Sequence, residues 1–481
     1  MTTRVRTTSS GDPHRPRQPV RHLGSRRTFR LEPPRLRTTS DPYEERHATW
    51  FELFFDLVFV AALSELAASL ARDLSGATLA RFAGLFVVVV WAWVLYALYA
   101  NRFDTDDMIF RAAKSGAMLA ITSVAVNVHQ VMEGHGGTVG FALGYVALRV
   151  LLVALYARAR RHAFGPGRRL SEIYIVGYAA TTGVWLLSIW VPSPGRFGLW
   201  TLAMVVDLVI PTRAWATLKE HPIAISHLTE RFGTFFIIVL GQSFVGVVTG
   251  LAGFEFTLQS WAVAGVCFVV ALCLWWIYFE LADTSVVGRG VLGLVYVYGH
   301  FPLLVGVAAF GVGTRFAVTE ATRPSLAAGP RWALGGGVGA LALSLALFHI
   351  GAEWTSMRDR AFVGRILLAA LAVSLAGAGQ TIPPLSFVSV LAVAVVAQLM
   401  LEALVSREGA ATIIEAGRQN GARRRGGSTN AISAPPPGDV RVDTTTSLPQ
   451  NSTSTRPQPS SRACPGDPID GLLDTPTRTP A

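Results

Sequence analysis

The sequence predicts an all-α fold, a polytopic integral membrane protein with about twelve transmembrane helices. Composition is the first support. Of 481 residues, 51% are hydrophobic and only 15% charged, and the mean hydropathy is +0.42. That balance belongs to chains that fold inside a bilayer. The second support is that apolar stretches able to cross roughly 30 Å of hydrocarbon recur along the whole chain. The third is that arginine and lysine gather in alternate connections, the pattern that orients membrane proteins.

In order, the predicted spans are Trp50–Leu70, Phe82–Ala100, Ala112–Met132, Val139–Ala157, Ile173–Val191, Phe197–Trp215, Arg231–Leu251, Leu258–Leu281, Val291–Gly313, Trp332–Ile350, Phe362–Gly379 and Leu385–Val405. The third is weakest, because Asn127 and His129 interrupt it. Connections are short, and no soluble domain is inserted. Residues 1–46, rich in Arg, Pro, Thr and Ser, read as a disordered tail without the apolar core of a secretory signal. Residues 406–481 open with Arg418 and Arg423–Arg425, then turn Pro/Ser/Thr-rich, and read as a second disordered tail. Those arginines either touch anionic lipid or form a stop-transfer flank. The transmembrane domain is therefore 47–405, with possible halves 47–220 and 221–405.

A formal net charge of +11 raises the question of a nucleic-acid partner. The arginines sit in tails and alternate loops, however, so the expected partner is the lipid bilayer and no nucleic acid. Arg158, Arg160, Arg161, Arg168 and Arg169 fill one connection, and Arg213, Lys219 and Arg231 another, whereas none lies between Glu133 and Gly140. Arg315, Arg323 and Arg331 break the alternation. The rule places both Arg-rich tails in the cytoplasm, which requires an even number of spans. Cys267, Cys273 and Cys464 offer neither a disulfide framework nor metal-ligand spacing. No metal and no cofactor are expected.

The first span carries Glu52, Asp56 and Glu65. A carboxylate at the centre of a membrane helix costs at least ~2.5 kcal/mol on insertion scales, so each needs a reason. Thr49-x-x-Glu52 is a capping box, which explains Glu52. Asp56 lies a turn deeper, beyond the reach of any cap. It is the residue left without a local explanation.

The run Glu52-Leu-Phe54-Phe55-Asp56-Leu-Val-Phe-Val resembles the signature of the low-temperature-requirement A (LtrA) family of bacterial membrane proteins. Asn101-Arg102-Phe-Asp104-Thr-Asp106-Asp107, His227-Leu-Thr-Glu230-Arg231-Phe-Gly and Trp275-Trp-Ile-Tyr278 fit the same family. Gln242 stands where that family often carries Glu. The resemblance covers about His47 to Val405 and implies a fold and a compartment more than a reaction.

His47-Ala-Thr49 and Glu52 resemble His227-Leu-Thr229-Glu230, six spans apart, and the span after each ends in an aromatic cluster. This suggests two parallel six-helix repeats, with a site at their interface. Depth estimated from helix rise puts Asp56, Arg149, Asp207 and His300 each roughly 9–12 Å inside the same face. One reading is a shared polar pocket with Asp56 as a titrating carboxylate and Arg149 or His300 as its partner. The other is static pairing, in which Asp56 or Asp207 neutralises Arg149. Pro302 and its neighbouring glycines mark a helix that is easy to kink.

The loop from Asn101 to Asp107 lacks the Gly and distal Glu of a calcium loop. It reads better as a latch, with Arg102 on a carboxylate and the aspartates capping the next helix or meeting Arg111. His349 and Glu353 read as interface residues. No Walker loop, His-Glu-x-x-His, Gly-x-Ser-x-Gly or dinucleotide fingerprint is present, so no enzyme activity is expected. The leading expectation is a proton- or ion-coupled secondary transporter of unidentified small-molecule or ion substrate. The alternative is a non-transporting membrane protein that supports growth in the cold, as the family's name implies, and an ion channel is third.

Overall fold

The computed structural model describes residues 31, 33–36, 48–104, 106–134, 136–218, 225–252, 257–281, 292–352 and 359–426. Within them, twelve helices are long and apolar enough to cross a membrane. They are α1 Trp50–Leu70, α2 Gly76–Arg102, α3 Met108–Glu133, α4 Thr138–His162, α5 Gly165–Trp190, α6 Gly195–Ala214, α7 His227–Leu251, α8 Leu258–Phe279, α9 Gly293–Thr319, α10 Ala328–His349, α11 Arg360–Ala378 and α12 Pro384–Ser406. The chain is thus a multi-pass membrane protein of the all-α class, its spans all helical. The unit ending at Glu415 holds every span, and the described part of the second, from Ala416, is helical backbone to Gly426. The sequence places the end of helix near Val405. The expected disorder of 1–30 and 427–481, and the side chains of Arg418 and Arg423–Arg425, lie outside the described residues.

Helix starts follow local chemistry. Thr49 and Glu52 form the predicted capping box on α1, Ser75 caps α2, Asp107 caps α3 and Thr257 caps α8. Each supplies an oxygen to a backbone N–H that has no partner within its own helix. Part of the N-terminal tail is also ordered. Strand β1 (Arg35–Leu36) pairs antiparallel with β2 (Phe103–Asp104), Arg35 opposite Asp104 and Leu36 opposite Phe103. A two-residue ladder leaves no periodic signal in a sequence, so composition alone hides it.

Two central helices organise the bundle. In its most apolar stretch α2 is 83% buried and α9 78%, against 33–67% for all the others. In lipid, only a helix surrounded by other helices reaches such values. The two meet where Trp91 lies against Tyr298 and Phe301. Helices α3, α4, α5 and α6 follow one another in contact, starting from α1, and α7, α9, α10 and α11 do the same in the second half.

The weak third span is a full helix because its polar residues are satisfied. Asn127 Nδ2 donates to the Ser123 carbonyl at 2.8 Å, and His129 lies between Arg72 at 2.7 Å and Glu133 at 3.2 Å. The exceptional arginines are also partly accounted for. Arg323 pairs with Glu320 at 3.0 Å, and buried Arg331 donates to the carbonyls of Ala376 and Leu326. Neither is a loose positive charge. Helix α9 runs through Pro302 without a break.

Without a hydrophobic force between helices in lipid, close backbone approach supplies much of the packing energy. Helices α9 and α10 touch at Gly306 and Gly337. A Cβ on Gly306 would collide with the Gly337 carbonyl oxygen, and one on Gly337 would lie 3.1 Å from the Phe310 nitrogen. Gly306→Ala should therefore push the helices apart and cost ~1–3 kcal/mol, seen as a lower thermal unfolding midpoint in detergent. An unchanged midpoint would show that this contact is not close-packed.

Candidate functional site

Three spans bring ionisable side chains, and a fourth brings hydrogen-bonding ones, to one buried cluster on the side where α1 begins. From α1 come Glu52 and Asp56, from α2 Trp93 and Asn101, from α3 Lys114, and from α7 His227 and Arg231. Glu52, Asp56, Asn101, Lys114, His227 and Arg231 are each at most 1% exposed.

Arg231 Nη2 donates to Asp56 Oδ1, and the indole N–H of Trp93 donates to the same oxygen at 2.6 Å. The guanidinium also lies over the Trp93 ring, 5.4 Å from its centroid. Glu52 Oε1 is 3.7 Å from both Lys114 Nζ and Arg231 Nη1. Its Oε2 accepts from the Thr49 N–H and hydroxyl and lies 3.4 Å from His227 Nε2. Lys114 sits over the rings of Phe55 and Phe110 at 5.0 and 4.8 Å. Asn101 Nδ2 lies 3.4 Å from His227 Nδ1. If the amide donates there, the proton of neutral His227 is on Nε2, facing Glu52.

Among the described residues the formal charges balance when His227 is neutral: two carboxylates face Lys114 and Arg231. Any proton gained or lost shifts a water-excluded site by a full charge, where Coulomb energies are several times those in water. The pairing is also incomplete. Asp56 Oδ2 and Arg231 Nε and Nη1 make no hydrogen bond among the described residues.

The sequence places Asp56, Arg149, Asp207 and His300 at one depth, but the structure distributes them over three groups. Asp56 takes Arg231, not Arg149 or His300, as its partner. Arg149 and Asp207 form their own pair between α4 and α6. There Thr181 and Thr182 of α5 and the Tyr178 carbonyl accept further Arg149 donors. His300 on α9 bonds the Tyr278 hydroxyl at 2.8 Å and the Tyr296 carbonyl at 2.6 Å. A run of rings ties His300 to the Asp56 group. His300 packs on Phe232, and Phe232 meets Trp93 edge-on. Depth along a helix is readable from sequence, but the direction a side chain faces is not, and direction decided the partners.

The other motif residues divide by role. Phe55 is core, whereas Phe54 is 54% exposed on the bilayer side. Asp106 holds Arg111 through two bonds of 2.9 and 2.7 Å. Asp107 caps Phe110 and takes Arg158 from α4 through both oxygens. Arg102 is buried, and the side chain of Asp104 lies outside the described residues. Glu230 accepts from the Ala48 N–H at 3.2 Å, joining α7 to the start of α1. Gln242 donates to Ser64 at 2.8 Å. His349 faces Asp359 at 3.6 Å, and Glu353 lies outside the described residues.

Sequence reasoning missed Lys114: it lies inside the expected third span, two residues from its start, but was not read as a buried charge, and with α3 beginning at Met108 it sits nearly two turns into the helix. It also missed the pair between Arg365 and Glu402, a two-bond contact with Gln398 donating to the same carboxylate. Gln398 and Glu402 are four apart in an apolar span, a signal that was available.

A family model for the bacterial low temperature requirement A protein (LtrA) matches residues 47–400. An uncharacterized protein of Rhizobium meliloti (strain 1021) is 28% identical over 298 residues, spanning 58% of this chain and 71% of that protein. Of the residues read as family motifs in α1, α2 and α7, Glu52, Asp56, Asn101, His227 and Arg231 lie in the cluster.

Asp56→Asn leaves Arg231 buried beside a neutral amide. Breaking a buried pair in this way costs ~3–5 kcal/mol, so the thermal unfolding midpoint in detergent should fall steeply. Arg231→Gln in the same chain should restore most of the loss, and Arg149→Gln should not. Rescue by Arg149→Gln would show that the pairing is wrong.

Proposed function

The chain belongs to the bacterial low temperature requirement A family, and from that premise we propose that it is a proton- or ion-coupled secondary transporter. Its coupling site is the cluster of Glu52, Asp56, Lys114, His227 and Arg231. One observation carries this reading. A buried charge cluster, in which Asp56 and Arg231 are incompletely hydrogen-bonded among the described residues, joins α1, α2 and α3 of the first half to α7 of the second. Intramembrane charges facing a bundle interior are costly and commonly mark proton or ion paths. Loss or gain of one proton would weaken one of the contacts between the halves, the one that charge holds together.

The two-repeat architecture belongs to the same proposal. Its support is that each half passes through the same order of packing partners, first span on third and third on fourth. Burial is less symmetric, since α9 is 78% buried and its counterpart α3 39%. The Arg-rich connections support a cytoplasmic location for both tails. On that orientation, a reporter fused to the C-terminus that is active only inside the cell gives signal. Signal from a reporter active only outside would reverse it.

A second reading has its own observation. Buried Arg149 and Arg365 are each bonded at all three guanidinium nitrogens, and buried Arg331 donates to two backbone carbonyls. A non-transporting protein that supports growth in the cold would look like this throughout. The readings separate on whether the cluster titrates. The full chain in lipid nanodiscs should show faster backbone hydrogen exchange in the first two turns of α1 and α7 at one end of the pH 5–8 range, after correction for intrinsic rates. The Asp56→Asn/Arg231→Gln double variant should lose that dependence. Equal exchange across the range in the unaltered chain would favour the static reading and sink the coupling role.

A further inference from the structure

Beside α2, in the half-bilayer away from the charge cluster, an apolar cavity of about 440 Å³ is bounded by α2, the end of α3 and α6. Leu85 and Val88 form one wall, Val131 closes an end, and Trp200, Met204 and Leu208 form the other wall. Ligand sites are typically apolar clefts of about 300–1,000 Å³ with a few placed polar groups.

The gap has a structural cause. Helix α6 packs on α5 rather than directly along α2. Its wall is stiff: Trp200 stacks on Trp185 and Phe141, and its indole N–H donates to Ser188. At the deep end, the Tyr298 hydroxyl of α9 donates to the Leu208 carbonyl at 2.6 Å. Gly84, Thr201 and Val205 line the cavity and are exposed on span surfaces, so the opening faces lipid. From Phe197 to Leu208 the cavity runs along roughly 16 Å of helix, about one leaflet of a ~30 Å hydrocarbon core.

Arg81 marks the shallow end. Its Nη1 donates to the Met132 carbonyl at 3.3 Å, which fixes the guanidinium level with the last turn of α3 and the first turn of α6. Arg81 is exposed and has donors to spare for an anionic group. Asp73, which feels its charge, is engaged by Thr78 and Ser75.

We infer that this cavity binds a single acyl chain with an anionic head, the chain between α2 and α6 and the carboxylate or phosphate on Arg81. Length, apolar lining, lateral opening and the position of the cation all match that amphiphile. The site stands whether or not the chain transports. Its ligand reaches it from the bilayer, either as a free fatty acid or as one chain of an anionic phospholipid.

The test uses the purified full chain and three photoreactive probes: a diazirine fatty acid, a diazirine phosphatidylglycerol and an uncharged diazirine monoacylglycerol. Labelled peptides are mapped by mass spectrometry. Labels should concentrate on residues 84–88 and 197–208. An added Cβ at Gly84 meets nothing within 4 Å, so Gly84→Phe can fill the cavity without disturbing the packing, and all three probes should lose that labelling. Thr201→Trp is the second filling variant, and a thermal unfolding control accompanies both. Arg81→Gln should lower labelling by the anionic probes about tenfold, the worth of one charge-assisted hydrogen bond, and leave the glycerol ester unchanged. Whichever anionic probe labels the site identifies the source. Even labelling over all exposed span surfaces, or labelling that survives both filling variants, overturns the site. Equal loss of the charged and uncharged probes in Arg81→Gln overturns the anionic head.

Discussion

A guanidinium inside a bilayer can neither lose its proton nor find water, so the helices around Arg231 must bring charge to it. Asp56 supplies one carboxylate through a direct hydrogen bond, and Glu52 adds a second at 3.7 Å. Both lie on α1, so α7 cannot rotate or slide against α1 without stranding a charge at a cost of several kcal/mol. Glu52 is shared in turn with Lys114 of α3, which places α3 in the same constraint. Van der Waals packing in lipid is comparatively tolerant of small sliding motions. Charge therefore constrains the relative register of α1, α3 and α7 in addition to packing.

That constraint explains why the fold was legible and the site only in part. Hydropathy and length found the twelve spans because crossing hydrocarbon is a requirement on each segment alone. The Thr49–Glu52 box was readable for the same reason, since its partners lie three residues apart. Asp56 stood out because nothing within reach on its own helix could satisfy it. Its partner lies 175 residues away, and depth offered Arg149 or His300 instead. Arg231 was counted as a loop charge and motif residue because the seventh span was started there, whereas the described span starts four residues earlier at His227. One turn more of helix moves an arginine from the boundary into the interior, and the earlier start of α3 at Met108 likewise takes Lys114 from the edge of its expected span into the buried helix.

The three buried pairs use similar chemistry under different conditions. Arg149 meets Asp207 and two threonine hydroxyls, with a carbonyl as a further acceptor. Arg365 meets both oxygens of Glu402 and the Leu345 carbonyl. In each, the arginine is bonded at all three nitrogens, and a change of state would have to break every one of those bonds. Both pairs also lie within one half of the chain, where they hold neighbouring spans together and have little to communicate.

The Asp56 cluster differs on both counts. Among the described residues Arg231 makes one hydrogen bond, to an oxygen that Trp93 already occupies, and its remaining attraction to Glu52 acts at 3.7 Å. Buried donors left in this condition raise the energy of the state that contains them. A second arrangement then needs to recover less to compete, which is what a two-state element requires. Trp93 also carries the consequence of a change outward. It bonds Asp56, stacks on Phe235 at 4.2 Å and meets Phe232, which packs against His300 of central helix α9. A shift in the Asp56 carboxylate would thus reach α9 through closely packed rings rather than through solvent. On the transport reading, this route lets a proton taken up between α1 and α7 alter the packing of the second half.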